Sequence, residues 1–113
     1  SRVYVVGHSM GAMVAGGWAV RYADRLAAAC LIAGGEVVGT ASAPVLVVAG
    51  EVDSLVSLER MRGYANRAIA AGLPIEFRTM FGYGHVLLVG DVMPDAVRWM
   101  HDKKTRPTTR PAD

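Results

Sequence analysis

Residues Arg2-Val-Tyr-Val-Val6 precede Gly7-His-Ser-Met-Gly11 in this 113-residue sequence, and together the two segments indicate its fold class. The first five residues form a β-branched and aromatic run, which predicts a strand buried on both faces, as in a parallel sheet. The next five fit the pattern G-x-S-x-G. A helix is predicted for residues 10–23, where apolar side chains recur at helical spacing at Met10, Val14, Gly17 or Trp18, and Tyr22.

The rest of the chain continues to alternate between strands and helices. Further strands are predicted at residues 26–33, 45–49 and 75–81, and a turn-rich loop at 34–44. One helix is predicted to follow Ser57 as its N-cap and to end at Ala71, and Pro94 and Asp95 suit the first turn of a last helix, with apolar contacts from Val97, Trp99 and Met100. This order predicts an α/β fold with parallel strands, right-handed crossovers and helices on both faces.

Composition indicates a globular domain and excludes several other classes. Hydrophobic residues make up 52% of the chain and charged residues 19%, which is not a disordered composition. No apolar run reaches the roughly 18 residues that a membrane span needs. The net charge of +2 is too weak to indicate nucleic-acid binding. The single cysteine, Cys30, excludes an internal disulfide and a multi-cysteine zinc site. We expect one domain over residues 1–104 and a disordered tail over 105–113.

Three polar residues follow three of the predicted strands. Ser9 lies in the G-x-S-x-G turn, Asp53 after the third strand and His85 after the fourth. Because the carboxyl ends of parallel strands meet at one edge of the sheet, these side chains should converge there. A serine hydroxyl needs a base, and the base needs an acid that orients it. The sequence therefore predicts Ser9, His85 and Asp53 as nucleophile, base and acid.

The turn itself suggests further roles. Flanking side chains would collide in so sharp a turn, so Gly7 and Gly11 are expected to clear the space. Ser9 also lies at a helix N-terminus, where free N–H groups favour developing negative charge.

Other candidates are weaker. His8 is expected to point away from the nucleophile and to pack, His101 to be solvated, and Cys30 to be buried and inert. Glu51 could replace Asp53 as the acid, although Asp53 is favoured. The methionines are expected to be mostly in the core, with Met80 and Met93 as possible acyl-pocket residues. The three histidines do not form a metal site by their spacing.

The chain resembles the C-terminal half of an α/β-hydrolase. The resemblance rests on Ser1-Arg-Val-Tyr-Val-Val-Gly-His-Ser-Met-Gly11, Pro44-Val-Leu-Val-Val-Ala-Gly-Glu-Val-Asp53 and Gly82-Tyr-Gly-His85, and it extends to about residue 103. Residues 21–29 and 32–35 are similar to a peptidase and esterase group with feruloyl-esterase-like and polyhydroxybutyrate-depolymerase-like members. The resemblance implies a Ser9-Asp53-His85 triad, no cofactor or metal, and no cap between residues 34 and 44. It also implies that the backbone N–H of Met10 is one oxyanion donor and that a second donor comes from strands that precede this segment.

The expected activity is that of a serine hydrolase acting on carboxylic esters, either small or polymer-linked. A prolyl-oligopeptidase-like peptidase or an acyltransferase would use the same triad. A non-catalytic interaction protein or an inactive fragment is the alternative of another class. Localisation stays open. We expect the 113-residue chain alone to be poorly active and to self-associate through its first strand.

Overall fold

The computed structural model describes residues 3–86 and 88–103, which form four strands and three helices. The strands are β1 (Tyr4–His8), β2 (Ala28–Ile32), β3 (Val45–Gly50) and β4 (Ile75–Met80). The helices are α1 (Met10–Arg21), α2 (Leu58–Ala70) and α3 (Leu88–His101). The predicted tail over 105–113 lies outside the described residues.

The four strands form one parallel sheet in the order β1-β2-β3-β4. Every residue of β2 and β3 is buried, as the continuous apolar runs of the sequence predict for the centre of a parallel sheet. The connections β1-α1-β2 and β3-α2-β4 each contain a helix, whereas residues 33–44 join β2 to β3 without one. All four strands therefore end at the same edge of the sheet.

The sheet has a hydrophobic core on each face. On one face, α1 and α2 pack over Leu31, Val45 and Val47. On the other face, α3 packs over Cys30, Ile32, Leu46 and Val48. The prediction of helices on both faces is therefore confirmed, and no described helix is long and apolar enough to cross a membrane.

The side of α1 that faces the sheet is not the predicted one. Its buried residues are small, namely Ala12, Ala15, Gly16 and Ala19. The predicted stripe instead lies exposed, with Met10 79%, Val14 52% and Trp18 47% accessible. Small side chains bring the helix close to its neighbours: a Cβ on Gly16 would lie 2.4 Å from the carbonyl oxygen of Glu36.

The last helix begins earlier than predicted. α3 starts at Leu88, so Pro94 is its seventh residue rather than part of its first turn. A proline there removes a hydrogen bond to the carbonyl of Gly90. Both residues are exposed, so water can replace that bond. The buried face is formed by Leu88, Val92, Ala96 and Met100, and the predicted contact Val97 is 52% exposed.

Candidate active site

Ser9 occupies a strained turn between β1 and α1. Its φ of 59° and ψ of −116° lie in a region that side-chain-bearing residues rarely adopt. The Ser9 N–H donates to the carbonyl of Ile32 (2.9 Å) and the Ser9 carbonyl accepts from the N–H of Ala12 (3.0 Å). The hydroxyl makes no capping hydrogen bond to α1. The backbone is thus held at both ends while the hydroxyl stays free for another partner.

Two glycines leave room for this turn, and one of them is not the predicted one. A Cβ on Gly7 would lie 2.2 Å from the carbonyl oxygen of Gly11, so no larger residue fits there without a shift of the turn. A Cβ on Gly11 meets no neighbouring element of the described chain within 4 Å, and the role expected for Gly11 stays a prediction. Gly34, just after β2, is the second glycine that leaves room: its Cβ would lie 2.7 Å from the Ser9 carbonyl oxygen.

The structure brings Ser9, His85 and Asp53 together. His85 Nε2 lies 2.9 Å from Ser9 Oγ, and His85 Nδ1 lies 2.8 Å from Asp53 Oδ2. The Asp53 side chain is fully buried and that of His85 is 11% exposed. Each of the three follows a different strand, at the edge where the sequence predicted that they would meet.

The Asp53 carboxylate is held in one orientation by its own loop. Its Oδ1 accepts hydrogen bonds from the N–H groups of Leu55 (2.8 Å) and Val56 (2.9 Å), which leaves Oδ2 for His85. Burial acts to raise the Asp53 pKa, but the bonds from Val56, His85 and Leu55 outweigh it and lower that pKa. The carboxylate is therefore ionised at neutral pH and can accept a hydrogen bond from an Nδ1–H of His85.

His8 and Glu51, the weaker candidates of the sequence analysis, both bond the loop that carries His85. The His8 ring nitrogen Nε2 donates to the His85 carbonyl oxygen (2.7 Å), and the two rings lie 4.9 Å apart between centroids. Glu51 Oε1 accepts from the N–H of Gly82 (2.9 Å). His8 is thus a packing histidine, as expected, and the residue it packs against is His85. The position of His8 directly before Ser9 is the feature of the sequence that could have indicated this contact.

The remaining candidates lie away from this cluster. Cys30 is buried in β2, and burial raises the pKa of its thiol to about 12. His101 is exposed at the end of α3. Met80 and Met93 pack against the core on the α3 face. Within residues 3–86 and 88–103, no group of three His, Cys, Asp or Glu side chains could hold a metal ion.

A cavity of about 650 Å³ opens beside Ser9, and sequence reasoning did not predict it. It lies between α1 and α2, over the segment that joins β2 to β3, and we call it the α1–α2 groove. Its lining includes Ser9, Met10, Met13, Gly17, Val38, Val56 and Tyr64. Met10 and Met13, expected in the core, are 79% and 66% exposed here.

Comparison with solved structures supports the fold. The chain superimposes on the esterase PE8 with a TM-score of 0.73 at 23% sequence identity, covering 88% of this chain and 49% of that one. For Arabidopsis thaliana SOBER1 the TM-score is 0.76 at 19% identity, with 88% and 51% covered. For the Bacillus cereus carboxylesterase it is 0.68 at 23% identity, with 89% and 50% covered.

These likenesses establish the architecture. The chain has the fold of the C-terminal half of an α/β-hydrolase, and it spans about half the length of the structures it matches. No family model and no curated protein matches the sequence. The narrower similarity to feruloyl-esterase-like and depolymerase-like proteins stays a prediction.

Proposed function

We propose that this protein is a serine hydrolase that cleaves carboxylic esters through an acyl-enzyme intermediate. The observation that carries the proposal is the chain of contacts from Ser9 Oγ through His85 to Asp53, at 2.9 and 2.8 Å. A serine, a histidine and a buried carboxylate in this geometry are the parts that nucleophilic acyl transfer needs. The esterase names of the matched structures favour esters as the substrate class.

In the proposed reaction, Ser9 Oγ attacks the ester carbonyl carbon while His85 Nε2 takes the hydroxyl proton. The resulting imidazolium is stabilised by Asp53, whose Oδ2 accepts from His85 Nδ1. Collapse of the tetrahedral intermediate breaks the bond to the alcohol oxygen, and His85 returns the proton to that oxygen. Water then attacks the acyl-enzyme with the same base, releasing the acid and restoring the Ser9 hydroxyl.

The Met10 N–H is the oxyanion donor that we assign. Met10 is the first residue of α1, so its N–H has no acceptor within the helix. It follows the nucleophile directly, which is where the strand–turn–helix arrangement supplies this donor. The N-terminal end of the helix dipole adds to the stabilisation of negative charge at this point.

Active-site labelling and ester turnover test the proposal. The full-length protein should react with a fluorophosphonate probe and hydrolyse p-nitrophenyl acetate. Ser9→Ala should abolish labelling and lower kcat by several orders of magnitude, about 10³-fold or more, since triad members act as a unit. Ser42→Ala is the control, because Ser42 is buried and bonds the Ala43 carbonyl. Turnover in Ser9→Ala within tenfold of the parent would assign the nucleophile elsewhere.

A further inference from the structure

The α1–α2 groove begins at the proposed nucleophile, and its shape and lining point to a substrate class. We infer that it is an acyl-binding groove, which selects esters whose acyl group is a medium- or long-chain aliphatic chain without charged groups. This inference rests on the proposed function of Ser9. Its volume of about 650 Å³ lies in the middle of the range typical of small-molecule sites.

The surface that lines the groove is mainly apolar. Met10, Met13 and Val38 line it and are 79%, 66% and 72% exposed, so this apolar surface is open to solvent next to the nucleophile. Exposed apolar surface concentrated at one place is typical of a ligand-binding groove. Flexible methionine side chains adapt to chains of different shape.

Charged residues on the groove wall do not select a charged substrate. Arg21 and Arg60 contribute two positive charges and Glu36 one negative charge, and all three residues are exposed. Solvent screens charges in such positions, and their signs are mixed. Burial of an aliphatic chain against methionine and valine is the larger available interaction, since each buried CH₂ contributes roughly 0.8 kcal/mol.

The groove lies on the acyl side of the scissile bond. His85 must face the leaving oxygen to protonate it, so the alcohol portion lies on the His85 side of Ser9. Ser9 and Met10 line the groove, whereas His85 and Asp53 do not. The acyl group, which stays attached to Ser9 Oγ, is therefore the portion that can enter the groove.

The length of the groove follows from α1. Its lining runs along this helix from Met10 through Met13 and Gly17 to Arg21, a distance of about 16 Å at the α-helical rise per residue. Gly17 lies midway, and a Cβ there meets no neighbouring element of the described chain within 4 Å. The missing side chain at Gly17 thus keeps the middle of the groove open.

A chain-length series tests this inference. The full-length protein should show a higher kcat/KM for p-nitrophenyl decanoate than for p-nitrophenyl acetate. Gly17→Leu places a branched side chain in the groove and should lower the decanoate-to-acetate ratio of kcat/KM at least roughly tenfold. Gly90→Leu is the matched control: Gly90 is also a helical glycine with open space at its Cβ, but it lies on α3, across the sheet. It should leave the ratio unchanged.

The outcomes separate the groove from the proposed chemistry. Equal kcat/KM for both esters, or an unchanged ratio in Gly17→Leu, would overturn the groove assignment while leaving Ser9 as the nucleophile. If the full-length protein hydrolyses neither ester, decanoate binding measured by calorimetry decides about the groove. Weaker decanoate binding in Gly17→Leu than in Gly90→Leu would support it, and equal binding would overturn it.

Discussion

At Ser9, the strained backbone conformation accompanies a hydroxyl that does not cap α1 and contacts His85 instead. A serine at the N-cap of a helix usually accepts a hydrogen bond from that helix, but the Ser9 hydroxyl makes no such bond and lies 2.9 Å from His85 Nε2. The strained φ and ψ turn the side chain away from the helix. Bonds from the Ser9 backbone to Ile32 and Ala12 hold that conformation.

Two acidic residues lie near His85, and they have different partners: Asp53 contacts the His85 ring and Glu51 the N–H of Gly82. Substituting each one tests which of them is the acid of the proposed triad. Asp53→Asn should lower kcat for ester hydrolysis by about 10³-fold or more, because an amide cannot stabilise the imidazolium of His85. Glu51→Gln should have little effect, since its amide oxygen can still accept from the N–H of Gly82. Steady-state kinetics of the two variants compares them. A larger loss in Glu51→Gln than in Asp53→Asn would make Glu51 the acid.

The lowered pKa of Asp53 predicts a dependence of stability on pH. A group whose pKa is lower in the folded state adds stability that is fully present above its unfolded pKa of about 3.9. That contribution is lost as the pH falls through the lowered folded-state value. We expect the free energy of unfolding of the parent to fall more steeply than that of Asp53→Asn below about pH 4. Urea unfolding at pH 3 and pH 6 measures this, and parallel slopes would contradict it.

Replacing either of the two neighbouring glycines of α1 by alanine should change the free energy of unfolding, in opposite directions for the two positions. Gly17→Ala should raise the free energy of unfolding by about 0.5–1 kcal/mol, because its Cβ has open space and alanine favours helix. Gly16→Ala should lower it by about 1–3 kcal/mol, because its Cβ would lie 2.4 Å from the Glu36 carbonyl oxygen. Chemical denaturation of both variants tests the pair. Equal shifts would show that α1 does not pack this closely.

Which elements can be predicted from sequence depends on the kind of residue that packs. β2 and β3 were predictable because buried parallel strands are continuously apolar, and Ser57 was predictable as the N-cap of α2, where its Oγ accepts from the Arg60 N–H (3.2 Å). The packing face of α1 was not, because periodicity points to large apolar residues and this face is alanine and glycine. The start of α3 was not predicted correctly, because a proline usually indicates the first turn of a helix. Pro94 is tolerated inside α3 because water can bond the exposed Gly90 carbonyl, and that exposure cannot be seen in the local sequence.

The same reasoning applies to the candidate site. Ser9, Asp53 and His85 were predictable because parallel strands bring the residues that follow them to one edge. Gly34 was not, because its role depends on a contact with Ser9 across the sheet. The α1–α2 groove was also missed, since it results from the spacing of two helices that are far apart in the sequence, α1 ending at Arg21 and α2 beginning at Leu58.

β1 forms one edge of the described sheet. It pairs with β2 and with no other described strand. Val3 and Val6 beside this edge are 53% and 38% exposed, and Val14 and Trp18 on α1 are also exposed. An apolar strand edge with unpaired N–H and C=O groups is a template for another chain. This combination extends the expectation from sequence that the first strand mediates self-association.

We therefore predict that the 113-residue chain self-associates in solution and that charge at the β1 edge weakens this association. Light scattering coupled to size-exclusion chromatography should show a mass above the 12.0 kDa of one chain. Val6→Lys should shift the distribution toward the monomer, because a charged residue on an edge strand opposes pairing. Val97→Lys is the matched control, since Val97 is a similarly exposed valine, 52% accessible, on α3 rather than on β1. A monomeric parent, or an equal effect of the two lysines, would show that the β1 edge is not the surface of association.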